Sequence, residues 1–191
     1  NGKLSDYLLY LKQTNKESLG FREVLAHQAG LVPWIPFFKK TIVNNNWDTV
    51  YYRSLIDEEF PLRVAQNMYI QENYTDEIYQ QLIASPIQEK KYVYSDLGFY
   101  LFKDMIEQIV KMPLDQFVYK NFYEPLGLKH MRFKPRRYFS IFEIVPTEYD
   151  QVFRHQLLQG DVHDHGAAMM GGVAGHAGLF GNAYDVAIMM Q

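Results

Sequence analysis

The chain contains no cysteine among its 191 residues. This absence excludes thiol nucleophiles, disulfides and thiolate metal sites, because each of them needs a cysteine sulfur. It leaves the redox compartment open. The sequence also lacks a Gly-x-Ser-x-Gly elbow and a Ser-x-x-Lys pair, two patterns that mark activated serines. Its glycine-rich region has no Lys-Ser or Lys-Thr pair, so a P-loop for nucleotides is excluded as well.

Positive charge is in short supply, since 19 Lys and Arg stand against 22 Asp and Glu. Nucleic-acid binding depends on basic surfaces that release phosphate counterions, so this balance argues against a nucleic-acid partner. No apolar run approaches the ~20 residues needed to cross a bilayer. Hydrophobic residues nevertheless make up 48% and aromatic residues 16% of the chain. The sequence therefore predicts one folded unit over residues 1–191, or a piece of a larger domain.

The clearest periodic pattern follows Tyr94, Ser95 and Asp96. Apolar residues recur there at a spacing of three and four, at Leu97, Leu101, Phe102, Met105, Ile106 and Ile109. Ser95 or Asp96 can accept a hydrogen bond from the first free backbone N–H groups, so the helix is predicted to begin there. Tyr94 then lies at a rigid helix start, where its phenol could face a cleft. A half-buried tyrosine with a satisfied hydroxyl is the common alternative.

Helical segments account for most of the remaining pattern. They are predicted over 18–29, 61–69, 76–84 and 114–122, and after Asn182 as an N-cap. Irregular structure is expected over 31–38, a turn over 44–46, loop with a short strand over 129–149, and a loop or two short strands over 160–181. The predicted fold class is mainly α with few short strands.

Histidines raise the possibility of a metal site. His163 and His165 lie two residues apart in a five-residue segment that also contains Asp161 and Asp164, and the two histidines would face the same side of an extended segment. An isolated His-x-His is common in loops, however, so we predict no metal and no cofactor. For His27, four residues after Glu23, a packing role is the default expectation.

Four segments in order resemble the serine β-lactamase and penicillin-binding-protein superfamily, in its branch of class C-like β-lactamases, D-alanyl-D-alanine peptidases and esterases. They are Leu25 to Leu31, similar to Leu-x-His-x-Ser-Gly-Leu with Ala29 for the usual serine; Tyr94 to Phe99, similar to Tyr-Ser-Asn-x-Gly-Tyr with Asp96 for asparagine; Pro125 to Leu128; and Gly171 to Asp185. The stretch Gly175 to Phe180 is also similar to the β-lactamase-like part fused behind some family 3 glycoside hydrolases.

This resemblance implies a mechanism. In that superfamily a serine attacks a carbonyl, a lysine three residues later shares its proton, and the motif tyrosine assists proton transfer. The resemblance implies a catalytic role for Tyr94 and substrate-binding roles for Ser95 and Asp96. Asp96 adds a negative charge where the usual asparagine touches the substrate amide and the lysine. The implied substrates are β-lactam, peptidoglycan-peptide or ester acyl groups, and the implied location is the periplasm or cell envelope.

The family's Ser-x-x-Lys motif would precede Asn1, and its third motif would follow Gln191. We therefore expect an internal fragment, the helical section of a β-lactamase/transpeptidase-like α/β fold, which is inactive alone. Self-association through an uncovered apolar face is expected. A fused glycosidase domain in the parent protein is a further possibility. A non-catalytic binding or interaction module derived from the family is the alternative. A metal site at His163 and His165 is a third.

Overall fold

The computed structural model describes residues 2–191. Its α-helices are α1 (Phe21–Leu25), α2 (Tyr74–Ala84), α3 (Leu97–Val110), α4 (Leu114–Val118), α5 (His165–Met169) and α6 (Ala183–Met189). Its strands are β1 (Ile42–Val43), β2 (Asn46–Trp47), β3 (Tyr52–Arg53), β4 (Leu62–Ala65), β5 (Met68–Ile70), β6 (Arg132–Phe133), β7 (Pro146–Asp150), β8 (Gln156–Gln159) and β9 (Leu179–Phe180). Short 3₁₀ turns cover Leu4–Asp6, Leu9–Leu11, Phe37–Thr41, Pro135–Arg137 and Ile141–Glu143, and a π-turn covers Tyr119–Tyr123.

The prediction of a mainly helical fold is wrong. Over residues 2–191, 36% of the residues lie in helices and 16% in strands. Four small antiparallel sheets form within residues 2–191, three of them two-stranded (β1–β2, β6–β9 and β7–β8) and one three-stranded in the order β3-β5-β4. Many of these strands are only two residues long, which is too short to produce a period-2 pattern in the sequence.

The clearest error concerns residues 61–69, which were expected to form a helix. They form the β4–β5 hairpin instead, in which Arg63 lies opposite Tyr69 and Leu62 opposite Ile70. Its turn places Asn67 at φ 52°, a left-handed conformation that asparagine tolerates better than most residues. The apolar residues of this segment fit either period, and the turn chemistry decided between them.

Helix α3 confirms the strongest sequence pattern. Leu97 and Leu101 are buried in the main core, and Phe102 and Met105 pack against it. The helix ends at Lys111, whose backbone adopts φ 55° and closes the last turn in the left-handed conformation. The pattern assigns Ile109 to the buried face of α3, but Ile109 is 54% exposed and therefore lies at the edge of that face.

The other local predictions are confirmed in part. The predicted helices over 76–84 and 114–122 correspond to α2 and to α4 with the π-turn that follows it. Asn182 caps α6 by accepting a hydrogen bond from the Asp185 N–H at 2.8 Å. The helix expected over 18–29 is limited to α1, and the glycine-rich segment 160–181 contains helix α5 as well as strand β9. No helix within residues 2–191 combines the length and apolar character that a membrane span requires.

A fully buried lysine provides a test of the fold. Lys16 is 0% exposed, and its ammonium donates to the Ser85 carbonyl at 2.5 Å and to Asn15 Oδ1 at 3.0 Å. Burial lowers the pKa of Lys16 from 10.5 to about 8. The unfolded chain therefore binds more protons than the folded one between these values, and stability rises with pH across that window.

We expect the free energy of unfolding to increase by roughly 2–3 kcal/mol between pH 8 and pH 10.5 because of Lys16. In urea titrations across this range, Lys16→Met should remove the increase, whereas Lys12→Met, at an exposed lysine, should retain it. Parallel pH curves for the two variants would contradict the assignment.

Candidate functional site

Tyr94 is held at the start of α3 by the loop that follows α1. The backbone N–H groups of Val93 and Ser95 donate to the His27 carbonyl at 2.9 Å and to His27 Nδ1 at 3.2 Å. The rings of His27 and Tyr94 lie against each other, with centroids 4.5 Å apart. His27 therefore positions the tyrosine. The alternative partner of His27, Glu23, binds Lys90 at 2.8 Å instead.

Ser95 is part of the wall behind the tyrosine. It is buried, its hydroxyl donates to the Val32 carbonyl at 2.7 Å, and its oxygen accepts from the Leu97 N–H at 3.2 Å. Of the two residues expected to start the helix, Ser95 thus bonds a free N–H, and Asp96 at the N-cap position makes no side-chain capping bond. The contact of Ser95 with substrate stays a prediction, because its hydroxyl proton is used by the backbone.

Asp96 faces two residues that lie far away in sequence. Ligand atoms of Asp96, Asp164 and His176 all lie within 4.8 Å of one another. His176 Nε2 is 2.9 Å from Asp164 Oδ1, and its ring stacks on Tyr100 with centroids 4.3 Å apart. These three side chains could hold a cation, because carboxylates and an imidazole are ligands for one, although the imidazole is already hydrogen-bonded.

Opposing effects act on the carboxylate of Asp164. Burial raises its pKa, but the hydrogen bond and charge of His176 and the hydrogen bond from the Ala167 N–H bring the pKa below its usual value. Asp164 is therefore ionised at neutral pH. Burial, with further contributions from Asp164 and Asp96, raises the pKa of Tyr100 well above 10. Tyr100 is therefore a neutral structural side chain.

Tyr94 itself is open to solvent, with 56% of its surface exposed. Its phenol interacts with the Asp96 carboxylate, and this interaction is the main reason why the pKa of Tyr94 is raised above 10. A proton acceptor for catalysis needs the opposite shift, which a neighbouring cation would provide. This chain thus supplies the tyrosine together with the nearby carboxylates of Asp96 and Asp164, and beside these negative charges the phenol stays protonated.

The predicted pair His163 and His165 does not form one site. His163 Nε2 lies 3.0 Å from Glu148 Oε2, whereas His165, the first residue of α5, lies 3.5 Å from Asp150 Oδ2. The guanidinium of Arg154 fills the space between these carboxylates, 2.6 Å from Asp150. A buried cation in that place disfavours a metal ion, and the two histidines lie beside the ion pairs that Arg154 forms with Asp150 and Glu148.

Sequence reasoning missed that Asp164 and His176 join Asp96. The contact spans 68 residues of sequence to Asp164 and 80 to His176, counted from 96 to 164 and to 176. The start of α5 could have been found from the sequence, because an aspartate followed by small residues indicates a helix N-cap. In the structure Asp164 caps α5 by accepting a hydrogen bond from the Ala167 N–H at 2.7 Å. Its partner could only be found in three dimensions.

Comparison with known proteins gives the family and the fold. A family model described as Beta-lactamase matches residues 1–191. A protein of Salmonella agona (strain SL483), named "Putative D-alanyl-D-alanine carboxypeptidase", is 42% identical over 113 residues. That match covers 53% of this chain and 26% of the relative. The matched segment therefore spans about a quarter of the length of the curated relatives.

Solved structures share the fold at low sequence identity. The octameric penicillin-binding protein homologue from Pyrococcus abyssi has a TM-score of 0.59 at 14% identity, covering 100% of this chain and 38% of that one. FmtA from Staphylococcus aureus has a TM-score of 0.57 at 18% identity, covering 100% of this chain and 42% of that one. At these identities the likeness concerns the fold alone.

Proposed function

Because this chain belongs to the beta-lactamase family, we propose that it is an internal part of a serine hydrolase acting on β-lactam, peptidoglycan-peptide or ester acyl groups. The observation that carries the proposal is the placement of Tyr94. It lies exposed at the start of α3, is fixed by hydrogen bonds from its neighbours to His27, and adjoins the Asp96, Asp164 and His176 cluster. Such a fixed, solvent-facing phenol suits proton transfer to a leaving group.

The remaining groups of the reaction would come from a Ser-x-x-Lys motif upstream of Asn1. Its serine is the proposed nucleophile, and its lysine is the cation that Tyr94 lacks. An ammonium beside Tyr94 and Asp96 would lower the pKa of the phenol and offset the repulsion between the Asp96 and Asp164 carboxylates. We therefore assign Asp96 to binding this lysine as well as substrate. Ser95 would contact substrate through its backbone.

The chain alone is proposed to be inactive, and its parent to act at the cell envelope. The printed name of the Salmonella relative, a carboxypeptidase for D-alanyl-D-alanine, supports the location and the peptide substrate. Several large apolar side chains are exposed, among them Ile56, Val145 and Met190, and we propose that other parts of the parent or a second copy cover such side chains. A fused glycosidase domain is a further proposal for the parent.

A labelling experiment tests the proposed activity. A fluorescent penicillin acylates an activated serine, so the parent protein should be labelled and this chain of 191 residues should not. Replacing the serine of the parent's Ser-x-x-Lys motif by alanine should abolish the label. A parent without that motif, or one that is folded but never labelled and hydrolyses no ester or D-alanyl peptide, would favour the non-catalytic binding module instead.

A further inference from the structure

A pocket that Tyr94 does not line lies between the β4–β5 hairpin and the turn at 134–137. It is a pocket of about 230 Å³ that we call the basic pocket. Four basic side chains line it, those of Arg63, Lys134, Arg136 and Arg137. A single carboxylate, that of Asp161, lines it with them. The lining therefore carries an excess of positive charge in a chain whose net charge is −3.

Asp161 holds two of these guanidinium groups in place. It is buried and accepts from Arg63 Nε at 2.7 Å and from Arg63 Nη2 at 2.8 Å, a bidentate pair. Arg136 Nη1 lies 3.9 Å from the same carboxylate and donates to the Gln159 carbonyl at 3.0 Å. Gly160 makes room for this arrangement, because a Cβ there would lie 2.5 Å from Arg136 Cγ. The geometry of the two arginines is thus fixed before any ligand binds.

The other two cations are less well compensated. Lys134 Nζ is 3.9 Å from its carboxylate partner, Asp115, and Arg137 makes no side-chain ion pair within residues 2–191. Burial lowers the pKa of Lys134; Asp115 opposes this shift, and Arg137 and Lys103 add to it. Like charges crowd together here, and an anion between them would relieve the repulsion.

The pocket also has an apolar side, formed by Pro61, Leu62 and Phe180. Its volume is below the ~300–1,000 Å³ of pockets for drug-sized ligands, so it suits a small molecule. We propose that the basic pocket binds a small organic oxyanion, a carboxylate or phosphate group on an apolar body. The charged group would meet Arg136, Arg137 and Lys134, and its body would pack on the apolar side. This site is independent of the proposed hydrolase activity.

Calorimetric titration of this chain with three probes tests the proposal. The probes are benzoate, its neutral isostere benzamide, and inorganic phosphate. We expect benzoate to bind with 1:1 stoichiometry and benzamide to bind at least about tenfold more weakly, since the charge-assisted contacts of the carboxylate are lost. Binding of phosphate but not of benzoate would also support an oxyanion site and would identify the phosphoryl group as its ligand.

Variants locate the binding in the basic pocket. The double substitution Arg136→Gln and Arg137→Gln should weaken benzoate or phosphate binding at least about tenfold, and Arg137→Lys should keep it within about threefold. Arg22→Gln on α1 removes one positive charge outside the pocket, as Arg137→Gln does inside it; it is the matched control for that single variant and should bind like the wild type. If circular dichroism shows that the double variant is unfolded, Arg137→Gln alone decides, because Arg137 is exposed.

Three results would overturn the proposal. They are equal affinity for benzamide and benzoate, unchanged affinity in the folded arginine variants, and no binding of benzoate or phosphate to the wild-type chain. None of these results bears on the proposed hydrolase activity, which is tested by covalent labelling of a serine.

Discussion

An Arg154→Met substitution should lower the free energy of unfolding by about 3–5 kcal/mol, the loss expected when one partner of a buried ion pair is removed. The Arg154 side chain is 0% exposed. It donates to Asp150 at 2.6 Å, to the Val162 carbonyl at 2.6 Å and to the His163 carbonyl at 2.6 Å. Methionine fills a similar volume but leaves the Asp150 carboxylate buried without its cation. Urea titration at pH 7 measures the effect.

Lys90→Met provides the control, because it removes a cation from an exposed pair. Lys90 and Glu23 are 54% and 41% exposed, so their interaction should contribute less than about 1 kcal/mol. The prediction fails if the two substitutions have similar effects on unfolding.

The buried pair of Asp150 and Arg154 also predicts that the stability of the fold depends on pH. Burial raises the pKa of Asp150, but Arg154 and the N–H groups of Phe153 and Val152 bring it far below 3.8. A depressed pKa in the folded state contributes stability that is present above the usual aspartate pKa and is lost as the pH falls below it. The wild type should therefore lose stability below about pH 4, and Arg154→Met should lose less there.

In a parent protein that contains the nucleophile, Tyr94→Phe should lower kcat by about 10²–10⁴-fold, the range typical of a lost proton-transfer group. The ring and its contact with His27 remain in phenylalanine, so the loss would belong to the hydroxyl. Steady-state hydrolysis of a chromogenic ester or cephalosporin measures kcat, and the yield of acyl-enzyme shows which step has slowed.

Tyr92→Phe is the matched control for that measurement. Tyr92 is 70% exposed, and its ring also adjoins His27, with centroids 6.2 Å apart. It should keep kcat within about threefold, as a surface side chain that touches no reacting atom would. A Tyr94→Phe variant with undiminished kcat would remove this residue from the chemistry.

The elements that could be predicted from the sequence are those in which local chemistry decides the conformation. Helix α3 repeats its apolar residues over four turns, and α6 begins at an asparagine whose side chain bonds the third N–H after it. The hairpin β1–β2 turns at Asn44 and Asn45, both of which adopt positive φ, where a turn was expected. In these places neighbours in sequence supply the stabilising contacts.

The features that could not be predicted depend on distant neighbours. The hairpin β4–β5 is paired with β3, whose two residues carry no strand pattern of their own. Arg154 joins the end of β7, through Asp150, to the segment before α5, through the Val162 and His163 carbonyls, and a sequence does not distinguish one backbone carbonyl from another. The first half of the candidate site, Tyr94 to Asp96, comes from the sequence pattern, and its functional role stays a prediction. Asp164 and His176, the second half of the site, come close to Asp96 only in the folded chain.

One oxygen atom links the site to the secondary structure around it. Asp164 Oδ1 accepts the Ala167 N–H, which caps α5, and the same oxygen lies 2.9 Å from His176 Nε2. A molecule that competes for this oxygen takes part of the cap away, and a capping bond contributes about 1 kcal/mol to a helix. Helix α5 is buried over its first four residues after His165, so this loss would reach the interior. Binding of a ligand to the Asp164 carboxylate is therefore coupled energetically to the stability of the buried helix α5.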